Sequence, residues 1–290
     1  MITIFTPTFN RLKLIKRLYK SLLAQTSTDF EWLVVDDGST DDTEEFFKLL
    51  PQREFPIRYI KQANAGKHIA INTGVDNAHY DWFFIVDSDD YLLPNAVSEL
   101  KEMVNQIESD QSFAGICTNR MYEDGSPNGR PVDYETLDTN FIDYALKYKY
   151  DGEKPSCIRT SVWKEFKFPV YPDEKFCSEA LVLRRIGKKY RNRYFNKCVY
   201  VMEGYLSDGL TQSIKRHYEN SPSYSCLVFK EQVCLSNLSI KSRISTYYNY
   251  WHYYFKVPVK RTELKPDMHL SVIGFPFFCA CSIAKRILKK

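Results

Sequence analysis

The run Phe83-Phe84-Ile85-Val86 stops abruptly at Asp87-Ser88-Asp89-Asp90. Consecutive apolar residues leave no position for water, which fits a buried strand. The acids that follow then sit at the end of that strand. In an open α/β sheet, ligands bind outside the carboxyl ends of the strands. Clustered carboxylates repel one another, so such a site calls for a cation or a hydrogen-bonding ligand. Hard carboxylate oxygens suit Mg²⁺ or Mn²⁺, ions that commonly bridge protein acids to phosphates.

The residues before this run alternate between strand and helix patterns. Residues 2–6 read as a strand, followed by the loop Pro7-Thr8-Phe9-Asn10. Asn10 is a candidate cap for a helix with apolar positions Leu12, Ile15, Leu18, Leu22 and Leu23. Residues 31–35 form a second strand that ends in Asp36-Asp37-Gly38-Ser39. Ser39 with Asp42 resembles a capping box for a helix reaching Leu50. A strand at 57–60, a helix at 67–77 and the strand at 82–86 follow, and Pro94 marks the next helix start. This β-α rhythm predicts an α/β fold with a doubly wound, mostly parallel sheet.

Beyond Met121 the pattern loosens, and Glu123–Pro131 is rich in turn residues. A helix is expected at 141–148, with strands at 157–163 and 194–202 around a helix at 178–187. From 215 onward the reading is helical, at 224–235 and 241–255, with an apolar segment at 270–284 that Pro276 should break. These shifts divide the chain into residues 1–214 and a helical, aromatic-rich extension, 215–290.

Of the 290 residues, 44% are hydrophobic and 15% aromatic, enough to bury a core. Residues 215–290 hold 13 Lys and Arg against 4 Asp and Glu, whereas residues 1–214 carry a net −5. A basic end on an acidic body suggests an anionic partner, such as a membrane surface or nucleic acid. A solvated basic face explains the same charge. The eight cysteines show no metal-ligand spacing, and reduced thiols are expected. The first residues lack a basic, signal-like segment, and no apolar run approaches the roughly 18 residues of a membrane span.

One Asp-Asp or Asp-x-Asp is weak evidence, since most are solvated turns. Here polar signals follow the first, second and fourth strands, and a parallel sheet gathers those ends along one edge. No G-x-G-x-x-G follows the first strand, and no G-x-x-x-x-G-K-[ST] occurs. Both absences argue against dinucleotide and P-loop folds.

The carriers of a family resemblance are Thr6-Pro7-Thr8-Phe9-Asn10, Glu31–Asp41, Asn64-Ala65-Gly66-Lys67 with Asn72-Thr73-Gly74, and Asp87-Ser88-Asp89-Asp90. Their order and spacing resemble glycosyltransferase family 2, with a GT-A fold, and specifically its bacterial capsule and O-antigen members. The likeness is close over residues 1–100, looser to 214 and weak beyond.

The resemblance implies roles for particular residues. Thr6, Pro7 and Phe9 would line the nucleotide base pocket; the family often has Tyr at position 9. Asp36 would bond the base, with Asp37 beside it. Lys67 and Ser88 would stand near the nucleotide or diphosphate, and a helix N-terminus at Lys67 independently favours an anion. Asp89 is the implied ligand of Mg²⁺ or Mn²⁺, with Asp87 on the ribose or in the metal shell. Asp90 either supports that shell or caps a helix. Glu179 fits the general base by context, although Ala180 stands where the family often has a second acid. Asp173 or Glu174 could contribute to the base, although both read more readily as surface loop. Asp208, in Tyr205–Thr211, resembles an acceptor-side residue of capsule-type members; a turn Asp before Gly is the plain alternative.

The implied reaction is inverting transfer of one sugar from a nucleotide diphosphate donor, with UDP favoured, to a surface polysaccharide or lipid-linked saccharide. The multiple spanning helices and Q-x-x-R-W motif of processive synthases do not occur. Rival readings are a nucleotidyltransferase and a nucleotide-sugar-binding protein without turnover. No nucleic-acid partner is expected. Tyr247–Phe255 and Phe275-Pro276-Phe277-Phe278, followed by basic residues, fit either an anchor on an anionic membrane or helices packed on the core. The expected location is the cytoplasm, at the inner face of the membrane.

Overall fold

The computed structural model describes residues 1–203, 213–259 and 261–287, with backbone alone from 283. They divide into two compact units, Met1–Phe168 with Val182–Ser207, and Pro169–Leu181 with Asp208–Lys290.

The first unit is built on a nine-stranded sheet. Its strands are β1 (Ile2–Thr8), β2 (Phe30–Asp36), β3 (Ile57–Lys61), β4 (Trp82–Ile85), β5 (Tyr91–Leu92), β6 (Phe113–Tyr122), β7 (Thr136–Thr139), β8 (Ser156–Arg159) and β9 (Arg191–Met202). Their order is β3-β2-β1-β4-β8-β6-β9-β5, with β7 on β9. The first four are mutually parallel, β8 runs antiparallel between β4 and β6, and β6 and β9 are parallel. From β1 the chain winds outward through β2 to β3, then returns to the other flank of β1 as β4. That reversal is a topological switch point, where the carboxyl ends of neighbouring strands open a crevice.

Connecting helices are α1 (Leu12–Leu23), α2 (Thr43–Lys48), α3 (Lys67–Asn77), α4 (Ala96–Asn105), α5 (Phe141–Leu146), α6 (Thr160–Glu165) and α7 (Ala180–Lys189). In α1 the buried residues are Ile15, Leu18, Tyr19 and Leu22, the three-and-four spacing of a helix lying on a sheet. They join Ile4, Trp32, Val34 and Phe84 in the main core.

Gly74 of α3 lies against Phe5, and a Cβ there would sit 2.2 Å from the ring. Phe5 is fully buried and stacked on Phe83 with centroids 4.9 Å apart, so the ring has nowhere to retreat. Gly74→Ala is therefore expected to cost about 2–3 kcal/mol through overpacking. Urea unfolding checks this, and wild-type stability would overturn it.

Some local expectations change. Asn10 does not cap α1: its side chain accepts from Thr40 N at 2.8 Å and clasps the loop after β2. Ser39 does not cap α2; Asp41 bonds Thr43 N there, at 3.2 Å. The strand expected over 157–163 ends at Arg159 and becomes α6. Thr160 N donates to Asp81 O at 2.8 Å, and the Thr160 hydroxyl donates to Tyr80 O at 2.6 Å, which turns the chain.

The second unit holds α8 (Ile214–Asn220), α9 (Pro222–Val233), α10 (Ile240–Tyr254) and α11 (Phe275–Ile287). Pro276 does not break the last segment: residues 268–287 stay helical, and the π turn Leu270–Gly274 lies directly before the proline, shifting the hydrogen-bond register where its N–H is missing. Tyr250 of α10 donates to Leu264 O at 2.8 Å, and the Trp251 indole donates to Leu270 O at 3.1 Å. Glu174 is buried rather than in a surface loop. Its carboxylate accepts from Ser223 N at 2.9 Å and Tyr224 N at 3.1 Å, at the positive end of α9. No described helix is long and apolar enough to cross a membrane, and no disulfide links the cysteines.

Candidate active site

At the end of β4, Val86 N continues the ladder to Phe5 O at 2.8 Å. The chain then turns, with Asp90 N donating to Asp87 O at 3.1 Å. The turn gathers Asp87, Asp89 and Asp90 so that one ligand oxygen from each lies within 4.8 Å of the others. Burial pushes the Asp89 carboxyl above its usual range, and the Asp87 charge adds to this. Burial, with Asp87 and Asp89, pushes Asp90 up to about 7. A cluster that resists full ionisation, built from hard oxygens, fits a divalent cation.

The acids are not equivalent. Tyr200 of β9 is buried, and burial raises its phenol so that it remains a donor. It donates to Asp90 Oδ2 at 2.8 Å and accepts from Asp87 N at 3.0 Å. Asp90 also accepts from Glu203 N at 3.3 Å, with Arg120 at 3.9 Å. Asp87 and Asp89 are the less buried pair. Lys67 Nζ stands 2.7 Å from Asp87 Oδ1. Arg17 of α1 donates to Asp89 O and pairs with Glu203 at 2.9 Å and Glu123 at 2.8 Å, latching the helix onto the acidic turn.

Asp37 sets the position of Lys67. It accepts from Gln62 Nε2 at 2.7 Å, Ala65 N at 2.9 Å and Gly66 N at 2.7 Å, fixing the loop that opens α3. Its own N–H donates to Thr8 O at 2.8 Å, so the loops after β1, β2 and β3 form one clasp. Asp36 is fully buried and accepts from Ser39 N at 2.7 Å and from the Tyr59 hydroxyl. His68 follows Lys67 and is buried, which pushes its imidazole down to about 4 and keeps it neutral.

The other sequence candidates lie as follows. Thr6 is fully buried, its hydroxyl accepting from the Trp32 indole at 3.0 Å. Pro7 is buried beside it, and Phe9 is 45% exposed beyond the strand end. Ser88 is buried within the acidic turn. Glu179 is half-buried, immediately before α7 and within the segment assigned to the second unit. Asp208 lies outside the described residues. Tyr200, Arg17, Arg120 and Tyr59 have no sequence signal: each sits in an ordinary strand or helix pattern, and its relevance comes from contacts distant in sequence.

The family model "Glycosyl transferase family 2" matches residues 3–163. Among curated relatives, the Campylobacter jejuni GalNAc(5)-diNAcBac-PP-undecaprenol beta-1,3-glucosyltransferase is 25% identical over 269 residues, 88% of this chain and 83% of that protein. Glycosyltransferase GlyA of Streptococcus pneumoniae is 26% identical over 69% of this chain, which spans only 28% of GlyA. Among solved structures, S. aureus TarS 1-349 in complex with UDP-GlcNAc superposes with a TM-score of 0.62 at 19% identity, covering 96% of this chain and 78% of that one. The family match covers the switch point and its acids, and the neighbour shares the GT-A fold; the chain belongs to glycosyltransferase family 2.

Proposed function

We propose that this protein transfers a single sugar from a nucleotide diphosphate donor to an acceptor hydroxyl, with inversion at the anomeric carbon. The observation that carries the reading is the turn after β4, where three carboxylates and Lys67 meet at the switch point of the sheet. Asp89 and Asp87 are the residues that would hold Mg²⁺ or Mn²⁺. When bound, such an ion would supply positive charge to offset that building on the departing diphosphate. Asp90, locked by Tyr200, shapes the turn. Lys67 binds the diphosphate beside Asp87 and Ser88. Pro7 and Phe9 face the base; Thr6 and Asp36, expected against the base, are instead fully buried and engaged by Trp32, Ser39 and Tyr59, so they back that wall, while Asp37 holds the surrounding loops.

Glu179 takes the proton from the acceptor hydroxyl. The hydroxyl oxygen bonds to the anomeric carbon as the bond to the diphosphate oxygen breaks and its electron pair leaves with the diphosphate. One displacement suffices, without a covalent enzyme intermediate.

A UDP donor is supported by the nucleotide sugar bound in the TarS neighbour, and a lipid-linked acceptor by the name of the Campylobacter relative. Asp208 is kept as an acceptor-side candidate. A panel of nucleotide sugars with and without Mn²⁺ tests the reading. Release of nucleoside diphosphate supports it. Binding without turnover on any acceptor would favour a carrier, and pyrophosphate from a sugar phosphate and a nucleoside triphosphate would favour a nucleotidyltransferase.

The second unit is proposed to rest on an anionic membrane surface. Met268 (81% exposed) and Val272 (67%) stand out from the start of its last helical segment, within the basic part of the chain. Introducing Glu at both positions is expected to abolish sedimentation with phosphatidylglycerol vesicles without loss of helicity. Unchanged sedimentation would sink the idea.

A further inference from the structure

A second pocket lies in the first unit and shares no residue with the acidic turn. It encloses about 210 Å³ and is lined by Asn119, Pro127, Asn128, Arg130, Pro131, Val132, Lys154 and Asn196. At about 30 Å³ per water, this is room for roughly seven waters, the scale of one sugar ring.

Its walls are braced. Asn128 accepts from Glu153 N at 2.8 Å and donates to the Tyr122 hydroxyl at 3.1 Å. Gly129 and Gly152 cross so closely that a Cβ on Gly152 would sit 2.2 Å from Asn128 O. Asp151 takes both the backbone and the side chain of Arg130, at 2.8 and 2.9 Å, which neutralises that charge.

Lys154 is different. It is half-buried, and no carboxylate among the described residues lies within ion-pair distance of it. Its Nζ donates to Asn119 Oδ1 at 2.7 Å, which leaves two of three donors for a ligand. Asn119 donates in turn to Asn196 Oδ1 at 2.9 Å, so the lysine and two amides form one continuous polar wall. Burial lowers the Lys154 pKa, the mark of a charge lacking full compensation.

We infer that this pocket binds an oxyanion carried on a sugar, a carboxylate or a phosphate, with Lys154 as its counter-charge. The amides match ring hydroxyls as donors and acceptors, and the two prolines and Val132 offer apolar surface to the C–H face of a ring. The saccharide assignment rests on the proposed function; the anion assignment rests on Lys154 alone.

Ligand-observed NMR with glucuronate, glucose 1-phosphate and glucose tests this on the full chain. One or both anions are expected to bind, glucose more weakly, and the preferred anion identifies the group. Lys154→Met should weaken anion binding about tenfold, as expected for losing one charge-assisted contact. Asn196→Asp, at an exposed position where folding is spared, should do the same by placing a negative charge on the pocket wall beside Asn119, where it repels the anion. Anions binding no better than glucose, or binding equally to both variants, would overturn the inference. If donor turnover fails while anions still bind through Lys154, the functional reading falls and the pocket stands. The reverse result separates them the other way.

Discussion

Asp89→Asn is expected to reduce transfer by about 10³-fold, the scale seen when one group facing developing charge is removed. The substitution keeps the shape of the turn but removes a hard, anionic ligand from the cluster. Protection of the wild-type protein against melting by Mn²⁺ should disappear in the same variant. Asp90→Asn should behave differently. Asp90 is engaged by Tyr200 at 2.8 Å and Glu203 N at 3.3 Å, so its replacement should lower stability more than it weakens ion binding. Wild-type Mn²⁺ protection in Asp89→Asn would remove Asp89 from the proposed set.

Glu179→Gln is expected to lower kcat by about 10²- to 10⁴-fold, the usual worth of a general base. UDP binding should be unchanged, because the base acts on the acceptor. Glu179→Asp should recover part of the rate. A variant with full transfer would refute the assignment. The dipole of α7 offers another reason for an acid before Ala180, and stability alone would then change.

Local pattern was enough for the elements that build the switch point. The 67–77 helix has the bounds expected from its sequence, and the strand of the opening run ends one residue earlier, at Ile85. Such segments declare themselves because burial on a sheet imposes a periodicity that neighbouring residues carry. Turns and caps were less legible. Asn10 and Ser39 have the chemistry of helix caps, yet each found a better partner in the other's loop: Asn10 N donates to Ser39 Oγ at 2.8 Å. The strand at 157 gave way to α6 because Thr160 bonds to Asp81 and Tyr80, residues some eighty positions earlier.

The same division runs through the site. By itself the sequence determined that three acids end an apolar strand, and that other polar loops end the strands beside it. Those are statements about neighbours in the chain, where alternation of burial and polarity is the dominant signal. Only the tertiary structure decided what separates the acids. Asp90 is tied to Tyr200, which lies 110 residues away, whereas Asp87 faces Lys67, whose loop is held by Asp37. Hydrogen-bond partners and desolvation are set by which strands come to lie together, and that information is spread over the whole chain.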